Sequence, residues 1–159
     1  LQVAPTDADL LHNYGWHLCV RNRITEALPL FDRALAVPRY RTPSRTLLAK
    51  GVCEMRAGRL DAAEGTLKRA YEIDAGNPAT AMNLADVLLR RGELERARFY
   101  VRRVNDNADL RNAESLWLAA RIEHRLGNEQ GARDFGYQLR AAYPESREAG
   151  AFQRGAFNE

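Results

Sequence analysis

Small residues recur along this chain at a spacing that a stack of helix pairs satisfies. Ala27, Ala63, Ala97 and Ala132 are separated by 36, 34 and 35 positions. Twelve residues before each stands another small residue, Gly15, Gly51, Ala85 or Ala120. Seven residues after each comes Ala34, Ala70, Val104 or Leu139. Between the first two markers lies a turn-forming triplet: Arg21-Asn22-Arg23, Ala57-Gly58-Arg59, Arg91-Gly92-Glu93 or Leu126-Gly127-Asn128. Apolar residues at helical spacing on both sides of each triplet predict two amphipathic helices of about 14 residues per unit. A period of this size belongs to repeat arrays, whose units bury their apolar faces only by stacking.

Two antiparallel helices approach to about 8–10 Å only where the crossing carries little side chain. Gly15 against Ala27, and Gly51 against Ala63, are expected to provide such crossings, with Leu11, Leu18, Phe31, Leu47, Leu60 and Leu67 filling the flanks. The pattern resembles the tetratricopeptide repeat. That resemblance implies an all-α, right-handed superhelix (an α-solenoid) of four full repeats plus a C-terminal capping helix. The units read as 6–41, 42–77, 78–112 and 113–144 within one domain of residues 1–159, with 1–5 as the tail of a preceding repeat and 145–159 as capping helix and tail. Pro29 falls inside a second helix, which is therefore expected to start late or bend. The two prolines of the Pro38–Pro43 link are expected to account for the 36-residue spacing.

Composition narrows the function. The 159 residues suit one domain with a real core, and no run of about 18 apolar residues offers a membrane span. A Gly-rich phosphate loop is absent, and Ser44, Ser115 and Ser146 sit in no nucleophile motif, so an enzyme is not expected. No cofactor is expected, and His12, His17 and His124 are too dispersed for a metal. Lys50 and Lys68 are the only lysines among 24 basic residues, and the arginines are scattered among acids such as Glu93 and Glu95. Such mixing describes solvated helix faces rather than a nucleic-acid stripe. The opening Leu1–Ala4, followed by Pro5 and an Asp7 cap, reads as the end of an earlier helix, so the sequence is expected to be a fragment.

Several strings carry a more specific likeness. Asn13-Tyr14-Gly15-Trp16-His17-Leu18-Cys19 resembles the Asn-Tyr-Gly-x-x-Leu-Cys opening of the type IV pilus biogenesis/stability proteins of the PilF/PilW type. The likeness continues through Tyr40, Gly51-Val52-Cys53, Met82-Asn83-Leu84-Ala85-Asp86, Glu114-Ser115-Leu116-Trp117-Leu118 and Arg121-Ile122. It ends at Gln138-Leu139-Arg140 and Tyr143-Pro144. The resemblance implies a periplasm-facing outer-membrane lipoprotein acting as a pilotin, with pilus secretin subunits as partners and no nucleic acid. The lipidation cysteine of the family is missing here, so the membrane link would run through a lipid anchor outside this fragment. A generic repeat adaptor in another envelope or cytosolic complex is the competing reading.

Cys19 and Cys53 fall on the first helices of neighbouring units, whose facing Cα atoms should lie roughly 5–6 Å apart, inside the disulfide window. In the periplasm that the resemblance implies, a bridge is expected; in a cytosolic adaptor the same pair would be two buried thiols.

First helices of this repeat line an inner groove. Helical spacing assigns to it His12, Trp16, Arg45, Leu48, Val52, Met55 and Arg56, then Met82, Asp86, Leu89 and Arg90, and finally Trp117, Arg121, His124 and Arg125. Trp, Met and Arg are the residue types that dominate protein interfaces. The chaperone-tail receptors of this repeat class clamp a carboxylate with Lys and Asn, and His12, Trp16 and Val52 stand in the equivalent places.

Overall fold

The computed structural model describes residues 7–158, which contain nine α-helices and no strand. They are α1 (Ala8–Val20), α2 (Ile24–Leu35), α3 (Pro43–Arg56), α4 (Leu60–Ile73), α5 (Pro78–Arg90), α6 (Leu94–Asn105), α7 (Ala113–Arg125), α8 (Glu129–Ala142) and α9 (Arg147–Gln153). No described helix is long and apolar enough to cross a membrane. The expected helix end at Leu1–Ala4 lies outside the described residues. Asp7 does cap α1, accepting from the Leu10 amide at 3.0 Å.

Each first helix ends the same way. Asn22, Gly58, Gly92 and Gly127 have φ of 62°, 76°, 79° and 80°. Around each left-handed residue two amides turn back onto the helix, as in Asn22 N to Cys19 O and Arg23 N to Leu18 O, both 2.9 Å. The pairs Gly58–Met55 with Arg59–Glu54, Gly92–Leu89 with Glu93–Leu88, and Gly127–His124 with Asn128–Glu123 repeat it. This double bond around a left-handed residue satisfies the last helix carbonyls and reverses the chain in three residues. Glycine adopts that backbone at no steric cost, and asparagine is the side chain that tolerates it best.

The crossings differ from the expectation in one respect. The nearest atoms to a Cβ placed on Gly15 belong to the Phe31 ring, at 3.0 Å, and on Gly51 to Leu67, at 2.6 Å. The glycines therefore make room for a large residue one turn beyond Ala27 and Ala63. Phe31 and Leu67 are completely buried and form the centre of the crossing rather than its flank.

Pro29 does not delay α2: the helix begins at Ile24, directly after its three-residue turn, as α4, α6 and α8 do after theirs. Burial of Ala27, Leu28, Leu30 and Phe31 around it offsets the lost backbone bond. The proline-bounded connection also proves ordinary. Residues 36–42 and the proline-free 106–112 are both seven-residue links, each following a 12-residue helix. The 36-residue spacing comes from that link together with the 14-residue α3.

The chain divides into two compact units between Thr80 and Ala81. In the first unit α1 packs on α2 and α3, and α3 also packs on α2 and α4. In the second, α7 packs on α6, α8 and α9. Gly136 on α8 seats α9, since a Cβ there would overlap the Phe152 ring.

Candidate functional site

In the first unit, Cys19 and Cys53 join α1 to α3 with their Cα atoms 5.9 Å apart. Both side chains are fully buried. Beside them His12, expected on an open groove, is buried between the same helices. Its Nδ1 lies 2.8 Å from Thr46 Oγ1, and Thr46 Oγ1 lies 2.6 Å from the Tyr40 hydroxyl. Thr46 thus bridges the His12 ring and the Tyr40 hydroxyl in one hydrogen-bonded chain. Burial, reinforced by the Arg45 charge and opposed by Asp9, lowers the His12 pKa to about 4. His12 thus belongs to the packing of the unit. Met55 is buried as well, and Leu48 and Val52 are half-buried. Arg45 bonds Asn13 Oδ1 at 3.2 Å and approaches Asp9 at 3.8 Å, so it ties α3 to α1. Trp16, 38% exposed, and Arg56 are left on the surface of this unit.

The second unit is more open. A cleft of about 340 Å³ is lined by α5 (Met82, Asn83, Asp86), α7 (Glu114, Trp117, Leu118, Arg121) and α9 (Arg147, Glu148, Ala151). A reciprocal cap closes the start of α7: Asn112 accepts from the Ser115 amide at 2.9 Å, and the Ser115 hydroxyl accepts from the Asn112 amide at 2.8 Å. Ser146 caps α9 with a single bond, accepting from the Ala149 amide at 3.0 Å. These caps fix two walls of the cleft.

Of the residues assigned to the groove by spacing, Met82, Asp86, Trp117 and Arg121 do meet in this cleft. Leu89 does not, being buried at 2% exposure. Asp86 and Arg90 pair along α5 at 3.1 Å. Arg125 donates to the Leu89 carbonyl at 2.8 Å, which caps the end of α5 and leaves it a structural rather than a free cation. Trp117 is 6% exposed because Phe157 stacks on it at 5.3 Å between ring centroids. Phe157 also stacks on His124, at 4.1 Å, and its carbonyl accepts from Arg121 Nε at 3.0 Å. Desolvation lowers the Arg121 pKa; Asp86 opposes this, and Arg90 and Arg125 reinforce it.

Spacing along first helices does not reach Glu148, Arg147 or Phe157, because α9 has only seven residues and carries no repeat marker. The available signal was Gly155, whose φ of 65° repeats the left-handed turn of the full units. Among the described residues no three His, Cys, Asp or Glu side chains gather as a metal site.

Residues 7–78 and 54–116 match the tetratricopeptide repeat. The type IV pilus assembly protein PilF of Pseudomonas aeruginosa is 27% identical over 147 residues, which are 92% of this chain and 58% of PilF. The chain thus spans under two thirds of that curated relative. The crystal structure of PilW, described as a widely conserved type IV pilus biogenesis factor, superimposes with a TM-score of 0.87 at 35% identity. That match covers 94% of this chain and 68% of PilW. The structure of Pseudomonas aeruginosa PilF gives a TM-score of 0.79 at 27% identity, over 94% of this chain and 67% of PilF.

Proposed function

This chain belongs to the tetratricopeptide-repeat proteins of the PilF and PilW kind, and from that premise we propose that it is a non-enzymatic protein-binding scaffold for type IV pilus biogenesis. In this reading it acts as a pilotin, promoting the outer-membrane localisation and multimerisation of the pilus secretin. It works from the periplasmic face of the outer membrane in a lipid-anchored form. The observation that carries the reading is the likeness to PilW, which extends over nearly all of this chain. The Cys19–Cys53 bond supports an oxidising compartment, where such bonds persist.

Mechanistically the scaffold would act by templating. The cleft between α5, α7 and α9 offers apolar contact at Met82, Trp117 and Leu118, flanked by Arg121 and Arg147 and by Asp86, Glu114 and Glu148. Such a mixture suits a partner segment with an apolar anchor and charged neighbours of both signs. A rigid wall set by capped helices presents it without paying ordering entropy at each encounter.

The test is an immunoblot of heat- and detergent-resistant secretin multimers in cells with and without the gene. Loss on deletion and return with the intact gene is the expected result. Unchanged multimers would overturn the pilotin role and move the protein to the adaptor class.

A further inference from the structure

Residues 154–158 close over the face of α7, with Phe157 against Trp117, Arg121 and His124. The bonds Gly155 N to Phe152 O, at 3.0 Å, and Ala156 N to Ala151 O, at 2.9 Å, reproduce the reversal that ends the full-length first helices. In the four earlier turns this reversal feeds a second helix. Here the residue in that place, Phe157, lies on α7. The Phe157 ring is nearly parallel to that of His124, with 11° between planes, and lies at 25° to Trp117. Trp117, Arg121 and His124 stand at one-turn intervals on a single helix face. Together they supply two flat rings for a side chain and a cationic donor for a main-chain carbonyl. Those are the parts that an extended peptide needs for recognition. The cleft that continues from Trp117 towards Met82 and Glu148 gives the flanking residues of such a peptide room.

We propose that this face of α7 is a receptor for one aromatic residue of an extended partner segment, and that Phe157 holds it in cis until the partner displaces it. The proposal rests on reading the first-helix faces as the binding surface of the scaffold. Aromatic selectivity follows from geometry: a flat ring contacts His124 and Trp117 over its whole face, whereas a branched aliphatic side chain does not. Competition follows from tethering, because a segment attached a few residues away sits at an effective concentration on the order of millimolar.

The test titrates acetyl-Gly-Ala-Phe-Asn-amide into isotope-labelled Phe157→Ala protein and into the unaltered protein, following the two tryptophan indole resonances by NMR. Trp16 lies in the other unit and serves as the internal reference. Saturable movement of the Trp117 signal in Phe157→Ala is expected, with Trp16 still. Binding should be at least about tenfold weaker in the unaltered protein. A peptide with Leu in place of Phe should also bind at least tenfold more weakly. Trp117 unmoved in Phe157→Ala, equal response to the Leu peptide, or equal response of the unaltered protein would each overturn the proposal. Should Phe157→Ala lose its helical circular dichroism, Phe157→Leu replaces it, keeping an apolar cover but no ring, with the same ordering expected. Because no secretin is present, failure here leaves the pilotin reading standing, and an unchanged immunoblot leaves this titration standing.

Discussion

In the first unit α1 and α3 are bound by the Cys19–Cys53 bond and by the buried His12–Thr46–Tyr40 chain. In the second unit the tie is ionic: Arg98 on α6 reaches Glu123 on α7 with bonds of 2.6 and 2.8 Å. Glu123 has a counterpart in the first unit, since Glu54 stands three residues beyond Gly51 as Glu123 stands three beyond Ala120. Both are buried. Arg98 follows Ala97, but the residue that follows Ala27 is Leu28, so Glu54 finds no such partner and its Oε1 has no hydrogen bond. One register thus carries two different energetics, set by what the preceding second helix offers. The covalently tied unit has closed its inner face over His12 and Met55, and the other keeps a cleft.

Removing the covalent tie is the largest expected perturbation. The double variant Cys19→Ala/Cys53→Ala should lose about 3–4 kcal/mol of unfolding free energy, because a loop of this length is released in the unfolded chain. Hydrogen exchange should quicken across α1–α4 and remain unchanged in α7 and α8; uniform acceleration would break the two-unit picture.

The buried histidine gives the first unit a pH response. With a folded pKa near 4 against 6.5 when exposed, His12 takes up a proton on unfolding throughout that window. Stability is then complete above about pH 6.5 and falls as pH drops towards 4, by about 2–3 kcal/mol. His12→Gln should flatten that part of the curve in thermal melts from pH 7 to 4.5. An unchanged slope would place the titration elsewhere.

Glu123→Gln should cost about 1.5–3 kcal/mol through loss of charge-assisted bonds to Arg98. Glu54→Gln should change stability by less than about 1 kcal/mol, since it exchanges a carboxylate with an unbonded oxygen for an amide and breaks no ion pair. Equal costs in urea titrations would mean that the two registers are energetically alike.

The helix crossings supply the smallest effect. Helix propensity alone predicts that Gly51→Ala stabilises α3 by about 1 kcal/mol. Contact with Leu67 reverses the sign, so a loss of about 1–2 kcal/mol is expected instead. A measured gain would show that Leu67 can move aside.

Most of the helix pairing is legible in the residues because it is local. Turn triplets must hold a residue that accepts a left-handed backbone, and Asn22, Gly58, Gly92 and Gly127 stand where spacing puts them. Cys19 and Cys53 share a register on adjacent first helices, which is enough to make them neighbours. The open face was less legible. Helical spacing gives His12, Trp16, Leu89 and Trp117 equal claim to the groove, yet three of them are buried and one is exposed.

The difference lies in where the information resides. The repeat, its turns and the pairing of helices can be read along the chain, since those depend on residues a few positions apart or one period apart. Only packing sets which first-helix residues keep a free surface, that Glu123 is paired while Glu54 is not, and that Phe157 lies on α7. Each of those outcomes depends on a side chain supplied by a different helix or by a segment outside the period, and no spacing along the chain encodes that meeting.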